Sequence, residues 1–400
     1  MPETLQSDSS EIRNASLGEI AFVFLKLGTT AFGGPAVHLA MMEEEFVRRR
    51  RWLTHTDFLD RLATANLIPG PSSTEVAIFI GQLKQGWLGL IVAGTCFIVP
   101  AASIVLMIAW AYVRFGSLPK VEGILAAIKP AVVAIVIQAL GKMARTGVRT
   151  LPLALIAATA AALSLFGVSP IWVLVFSGLL SAATVTTKNR LLSFALPGFA
   201  KTVGWAAQLS FQKTLASFLV VAIAGAAIPV GLLRLFLSFL KIGSVVFGSG
   251  YVLLAFLQTE FVERLHWLSE KQLIDAVAVG QFTPGPLSAT ATFIGYVVAG
   301  WPGAIVATIA IFLPGFVLVA ASGPLLPRIR KSPVASAALD GVVAGSLALM
   351  AVVAMQLARA SLVDRLTVAI FAVSLIALIR FKVNSAWVVA GAAVVGWTLW

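Results

Sequence analysis

Uninterrupted runs of apolar residues dominate the chain and predict its helices. These runs cover about 87–113, 122–143, 150–166, 170–187, 214–231, 232–256, 271–297, 302–322, 336–358, 366–380 and 384–400. Most are about 17–25 residues long, the length that an α-helix needs to cross a membrane, whereas barrel strands alternate over about ten residues. The pattern therefore predicts an all-α integral membrane protein.

Glycine and proline break the apolar pattern at several places. The stretch from Leu17 to Met42 is interrupted by Gly33-Gly34-Pro35, and the stretch from Thr54 to Gly81 is interrupted by Pro69-Gly70-Pro71. A helix that breaks at membrane depth leaves backbone groups unpaired, which is tolerated only where they face a cavity or other protein. We expect about 10–13 transmembrane or re-entrant helices, some of them broken.

An internal repeat organises the chain. Residues 24–71 align with residues 239–286 at a shift of 215 without a gap, and 20 of the 48 positions are identical. The identities include Lys26 with Lys241 and the two Pro-Gly-Pro tripeptides, 69–71 and 284–286. After one dropped residue the shift becomes 214. Matching charges, tryptophans and tripeptides in one register indicate a duplicated unit rather than shared composition.

The repeat predicts four segments. They are a polar N-terminal tail at 1–16, a first transmembrane repeat at 17–187, a basic connection with an unpaired span at 188–231, and a second transmembrane repeat at 232–400.

The orientation of the two repeats follows from their loop charges. Arg48–Arg51 carries four positive charges, whereas the matching Glu263–His266 carries about none. The positive-inside rule places such loops on opposite sides of the membrane, so we expect inverted repeats. If residues 56–80 form a re-entrant segment that does not cross the membrane, six instead of seven spans separate the starts of the two repeats. An even number of spans would make the repeats parallel.

Two sets of broken helices predict an anion site. The N-terminal end of a helix carries partial positive charge and free N–H donors, so ends that meet near the midplane bind anions. The candidate ends follow Pro35, Pro71 and Pro286, and hydroxyl residues follow both Pro-Gly-Pro tripeptides. A proline kink whose hydroxyls bond back to the helix is the structural alternative.

A few charged residues lie inside apolar segments. Lys26 and Lys241 are candidates for binding or gating, because buried cations are expensive in a membrane, although snorkelling is an alternative. Glu45 with Arg49, and Glu260 with Arg264, have the spacing of either a helix-stabilising ion pair or a gate. Asp60, Asp275 and Glu75 are candidate proton carriers, and the two aspartates are equally compatible with a tethering role.

Composition excludes several classes of protein. Hydrophobic residues make up 59% and charged residues 12% of the chain, compared with about 45–50% and 25% in soluble domains. A net charge of +12 is explained by basic loops and also helps to attract an anion. Residues 1–16 lack the features of a signal peptide, so we expect a multi-pass protein of a cytoplasmic (inner) membrane. No cofactor, metal or nucleic-acid motif is visible, and no enzyme motif.

The broken segments carry a family resemblance. Phe32-Gly33-Gly34-Pro35 with His38, then Trp52-Leu53, then Asn66-Leu67-Ile68-Pro69-Gly70-Pro71, resemble the signature of the chromate ion transporter family. A second copy runs from Phe247-Gly248 to Pro284-Gly285-Pro286, so the resemblance covers nearly the whole chain. The second copy departs from the first at Ser249-Gly250 and at Leu253, so we expect unequal contributions to the site.

The resemblance implies export of chromate from the cytoplasm, chromate resistance, antiparallel halves, and coupling to the membrane potential or a proton gradient. The residues alone predict a small-anion carrier and leave chromate and sulfate undecided. A membrane-embedded phosphatase-like enzyme and a passive channel remain alternatives, and glycine-rich spans leave a homodimer open.

Candidate residues of the transport site follow from four features. These are the helix breaks, the hydroxyl residues, the intramembrane lysines and the family resemblance. The substrate-binding candidates are Lys26, Gly33, Gly34, Pro35, His38, Asn66, Pro69, Gly70, Pro71, Ser72, Ser73, Lys241, Gly248, Gln281, Pro284, Gly285, Pro286 and Ser288. The coupling or gating candidates are Glu45, Arg49, Asp60, Glu75, Glu260, Arg264 and Asp275.

Overall fold

The computed structural model describes residues 15–32, 34–65, 68–116, 118–188, 230–246, 252–322 and 332–399. Within these ranges the chain forms fourteen α-helices and no strand, which confirms the predicted all-α class. The helices are α1 (Leu17–Thr30), α2 (Pro35–Glu43), α3 (His55–Ala65), α4 (Ser72–Phe115), α5 (Pro119–Gly147), α6 (Leu151–Leu165), α7 (Pro170–Lys188), α8 (Val230–Val245), α9 (Leu253–Leu257), α10 (Glu270–Phe282), α11 (Thr290–Ser322), α12 (Pro333–Ser361), α13 (Arg365–Ile379) and α14 (Ser385–Leu399).

Several helices are long and apolar enough to cross a membrane. The segments that meet this condition among the described residues are Ser72–Phe115, Lys120–Arg145, Leu287–Ala321 and Pro333–Ser361, and α6, α7, α13 and α14 are shorter apolar helices. Large apolar side chains such as Trp87, Met107 and Trp387 are exposed on the outside of the bundle. An exposed apolar surface of this kind suits contact with lipid rather than water.

The two longest helices are helical hairpins. α4 loses helical geometry at Gln85 and Gly86, and the backbones of Gly81 and Gly89 touch across the bend. Its two arms therefore run antiparallel. α11 bends in the same way at Ala299 and Gly300. The predicted spans beginning near 87 and 302 are the second arms of these hairpins.

Local geometry repeats between the halves as closely as the sequence does. α2 continues into a π-helix at Glu44–Arg49, and α9 continues into another at Gln258–Arg264. Each is followed by a residue with positive φ, Arg51 at 53° and His266 at 52°, which are 215 positions apart. The matching residues thus fold into matching structures, which confirms the duplication.

The repeats exchange helices with each other. α6 and α7 of the first repeat pack on α12 of the second, and α13 and α14 of the second repeat pack on α5 of the first. The hairpins α4 and α11 pack against each other. The core is therefore shared between the repeats, and neither repeat forms a separate unit.

One contact between the hairpins bears on their relative direction. The position of a β-carbon on Gly94 in α4 lies against the ring of Phe316 in α11. The counterpart of Phe316 is Ala102, eight residues beyond Gly94, or about 12 Å along a helix. Two parallel helices related by a two-fold axis would touch at residues that are counterparts of each other. Here the contacting residues are displaced from their counterparts along the helix, as expected for antiparallel helices, and this supports inverted repeats.

Some predicted features lie outside the described residues. They are most of the polar tail, the basic connection with the apolar run at 214–231, and the site candidates Gly33, Asn66 and Gly248. The segment limits 1–16, 17–187, 188–231 and 232–400 stay predictions.

Candidate functional site

Each Pro-Gly-Pro loop is bound by the other repeat. The backbone N–H of Gly70 donates to the carbonyl of Val246 at 2.6 Å, and the N–H of Gly285 donates to the carbonyl of Ala31 at 3.0 Å. Gly285 is the counterpart of Gly70, and Val246 is the counterpart of Ala31, both at the shift of 215. The two hydrogen bonds form a reciprocal pair, which places both loops at the boundary between the repeats.

His38 and Ser73 join this boundary from the first repeat. Both side chains are buried, and the Nδ1 atom of His38 lies 3.3 Å from the hydroxyl of Ser73. The Nε2 atom lies 3.0 Å from the carbonyl of Ala31, which also accepts from Gly285. A carbonyl only accepts, so Nε2 carries the proton and Nδ1 accepts from the serine hydroxyl. The predicted residues His38, Ser73 and Gly285 thus lie in one network.

Helix starts lie at the predicted breaks. α2 begins at Pro35 behind Gly34, whose φ is 81°, and α4 begins at Ser72 directly after Pro71. The second repeat differs from the expectation. A short 3₁₀ turn, Leu287–Ala289, follows Pro286, and α11 starts only at Thr290.

The hydroxyl side chains that follow the two Pro-Gly-Pro loops make different hydrogen bonds. Ser72, Ser73 and Ser288 are all buried, and Ser73 contacts His38. In the second repeat, Thr290 donates to the carbonyl of Leu287 at 2.8 Å, as expected for a hydroxyl that bonds back to its own helix. The position matching His38 is Leu253, so the second repeat lacks the histidine network.

Glu75 is the most deeply buried acid of the first repeat. Its relative exposure is 0%, and within the part of the chain that the structure describes neither carboxylate oxygen has a hydrogen-bond partner. A β-carbon on Gly70 would overlap Oε1 of Glu75, and one on Gly315 would lie 3.5 Å from the same atom. The carboxyl group therefore lies between the first Pro-Gly-Pro loop and α11.

The remaining prolines and Gln281 lie around the same loops. Pro69 and Pro284 open the two Pro-Gly-Pro bends, and Gln281 is buried in the last turn of α10, just before the second bend.

The two lysines belong to repeated ion clusters. Lys26 Nζ lies 4.0 Å from Glu45 Oε2, which also contacts Arg49 at 3.4 Å, and Arg50 contacts Glu45 Oε1 at 2.8 Å. Burial raises the pKa of Glu45, but the hydrogen bond and charge of Arg50 and the charge of Lys26 outweigh it. The pKa of this carboxyl therefore lies below its usual value.

The second ion cluster has the same plan. Lys241 lies 3.4 Å and Arg264 3.0 Å from Glu260, and Ser238 donates to Glu260 at 2.8 Å. Lys26 and Lys241 are about half exposed, which agrees with the snorkelling alternative as well as with a gate.

The matching aspartates have different surroundings. Asp60 is exposed, whereas Asp275 is fully buried, with Lys129 Nζ at 3.3 Å and the hydroxyl of Tyr112 donating at 3.0 Å. Sequence reasoning missed Lys129 and Tyr112. A lysine beside Pro130 within the apolar run 122–143 was the available signal for the first of them.

Comparisons with known proteins agree with this architecture. The family described as "Chromate transporter" matches residues 18–182 and 233–397, that is, both repeats. The chain is 32% identical to the chromate transport protein of Cupriavidus metallidurans over 393 residues, covering 95% of this chain and 92% of that protein. It is 30% identical to the chromate transport protein of Pseudomonas aeruginosa, covering 94% and 90% of the two chains.

A further relative has no assigned substrate. An uncharacterized transporter of Methanocaldococcus jannaschii is 29% identical, covering 90% of this chain and 89% of the relative. No solved structure matches the chain. With two matched repeats and transport proteins as full-length relatives, this non-enzymatic, multi-pass membrane protein belongs to the chromate transporter family.

Proposed function

We propose that this protein exports chromate from the cytoplasm across the inner membrane and thereby confers chromate resistance, with transport driven by the membrane potential or a proton gradient. The proposal rests on the family and on one observation. At the boundary between the two repeats, the second Pro-Gly-Pro loop shares the carbonyl of Ala31 with His38, and the first leads directly into the turn that carries Ser73. Transporters built from inverted repeats bind their substrates at such boundaries.

The groups at this boundary suit a tetrahedral oxyanion. Chromate presents four acceptor oxygens and two negative charges, and it needs several donors at once. The first turn of α4 and the hydroxyl of Ser72 lie beside the positive end of a helix dipole. The Ser73 hydroxyl and the Nε2–H of His38 donate to protein groups in this conformation, so they become donors to the anion only when the boundary opens. Sulfate has the same shape and charge, so these groups would also bind sulfate.

Binding and release require a movement of the repeats. His38, Ser73 and Glu75 are almost completely buried, so the boundary is closed in this conformation. The ion clusters around Glu45 and Glu260 lie at equivalent places in the two repeats. If the repeats are inverted, these places face opposite sides of the membrane, which suits a pair of gates that open in turn.

Chromate uptake into inverted membrane vesicles tests this function. Vesicles that contain the protein should accumulate labelled chromate when energised, an uncoupler should abolish accumulation, and excess sulfate should show whether the site distinguishes the two anions. Vesicles that contain the protein at normal abundance but accumulate no chromate would contradict the proposal.

Two substitutions test the site. Ser73→Ala removes the hydroxyl beside His38, and Lys26→Ala removes the cation of the first ion cluster. We expect both to abolish chromate resistance while the protein remains in the membrane at wild-type amounts. Normal resistance in both variants would exclude this site.

A further inference from the structure

We propose that the Glu75 carboxylate occupies the place of the transported oxyanion at the start of α4, so that anion binding requires a proton on Glu75. This inference rests on the proposed function. It adds an order of events: Glu75 takes up a proton, its carboxyl group leaves the loop, and the anion replaces it.

The position of Glu75 supports this role. Glu75 lies in the first turn of α4, and helical side chains tilt toward the N-terminus of their helix. Its Oε1 atom consequently lies against Gly70, ahead of the first helical residue. Free N–H groups and the helix dipole attract negative charge to this end of a helix. A carboxylate held there is a tethered substitute for an external oxyanion.

The surroundings of Glu75 leave its charge without a dedicated partner. Among the described residues no hydrogen bond or ion pair satisfies either oxygen, although the group is completely buried. A buried carboxylate without a partner is costly, and such groups are associated with function. A structural acid would be expected to have a partner, as Asp275 has in Lys129 and Tyr112.

The elements around Glu75 bring few other titratable groups. α11 contains no Asp, Glu, Lys, Arg or His, and its Tyr296 packs on Trp301 near the hairpin bend. α1 and α8 each carry a lysine that contacts a glutamate of its own repeat. α2 contributes His38, whose two nitrogens contact Ser73 and Ala31, and α4 itself carries Lys84 about two and a half turns away.

Only one of the two loops has such an acid. Ser288, Ala289 and Thr290 occupy the corresponding positions after the second Pro-Gly-Pro loop. The inference therefore assigns one proton-linked anion site to the whole protein, at the first loop. A dianion that leaves with one proton carries one net negative charge, so a membrane potential that is negative inside favours export.

The experiment measures chromate affinity as a function of pH for purified wild-type protein and for Glu75→Gln. The glutamine has the shape of the protonated acid and cannot ionise. At pH values where Glu75 is ionised, each added pH unit should weaken wild-type binding up to tenfold relative to the variant, because binding and protonation are linked. Chromate's own protonation affects both proteins equally, so the ratio of the two dissociation constants isolates Glu75.

The outcomes separate the inference from the function. A ratio that does not change with pH, or a folded Glu75→Gln protein that no longer binds chromate, would overturn the role of Glu75 and leave transport intact as a proposal. If Glu75→Gln fails to fold, Glu75→Ala replaces it and is read against the same criterion. A wild-type protein that binds no chromate at any pH would overturn the proposed function, and the inference with it.

Discussion

The ammonium group of Lys129 lies 3.3 Å from the carboxylate of Asp275, and this pair connects the first repeat to the second inside the protein. Tyr112 donates a hydrogen bond to the same carboxylate. The matching residues on the other side of the pseudo-symmetric structure are different. Asp60 is exposed, and the counterpart of Lys129 is Val343. Gene duplication has produced two similar backbones, and substitution has since given them different charges.

Asp275→Asn should destabilise the protein strongly. Lys129 keeps only 14% side-chain exposure, so the substitution would leave an ammonium group buried without a counter-charge. Breaking a buried pair in this way costs about 3–5 kcal/mol. Thermal unfolding of the purified protein in detergent measures the effect, and a variant that also carries Lys129→Met should recover most of the lost stability.

The matched control is a second ion pair between the same two helices. Lys271 of α10 contacts Glu122 of α5 at 3.0 Å, and both side chains are more than half exposed. An exposed pair contributes about 0–1 kcal/mol, so Glu122→Gln should unfold nearly like wild type. Equal effects of Asp275→Asn and Glu122→Gln would contradict the importance given to burial.

Ser73→Ala and Ser288→Ala should have unequal effects on transport. Ser73 contacts His38, whereas Ser288 occupies the matching place in a repeat that has Leu253 in place of the histidine. Loss of the Ser73 hydroxyl leaves a buried histidine nitrogen without its donor, at a cost of about 1–3 kcal/mol.

Chromate uptake into vesicles and thermal unfolding should be measured for both serine variants. We expect Ser73→Ala to lose transport and Ser288→Ala to retain most of it. Equal losses in the two variants would indicate that the repeats contribute equally to the site.

Much of this architecture could be predicted from the sequence, because its causes are local. Apolar runs gave the helices, and identities such as Trp52 with Trp267 gave the repeat. The reciprocal bonds of Gly70 and Gly285 could not be predicted, because a shift in sequence does not tell which repeat each loop contacts. Lys129 was missed because its partner Asp275 is distant in the chain, and only tertiary packing joins them.

Gly285→Ala should impair both stability and transport. Gly285 has a φ of 91°, which side chains rarely adopt, and a β-carbon there would lie 2.8 Å from Ala101 and 3.2 Å from the carbonyl of Gly28. The conformational cost is about 1–2 kcal/mol, and overpacking adds about 1–3 kcal/mol. The loop would also be pushed away from Ala31, which holds it at the site.

Gly300→Ala isolates the conformational part of this effect. Gly300 has a φ of 63°, but no atom lies within 4 Å of the position of an added β-carbon. Its ψ of −151° lies in a region that essentially only glycine adopts, so we expect a loss of about 1–3 kcal/mol and near-normal transport. Thermal unfolding and vesicle uptake compare the two variants, and a Gly300→Ala protein as defective as Gly285→Ala would show that packing at the loop is unimportant.

Cysteine labelling should show Arg51 and His266 on opposite sides of the membrane. These residues are equivalent in the two repeats, share a left-handed conformation and are both exposed. Cys96 is the only native cysteine, so Cys96→Ala gives a background without thiols into which Arg51→Cys or His266→Cys is introduced.

A membrane-impermeant maleimide is then applied to sealed right-side-out and inverted vesicles. Because the displaced contact between Gly94 and Phe316 supports inverted repeats, we expect each cysteine to react in only one kind of vesicle, and the two cysteines in different kinds. The richer positive charge of Arg48–Arg51 further predicts that Arg51→Cys reacts from the cytoplasmic side. Labelling of both cysteines from the same side would show that the repeats are parallel.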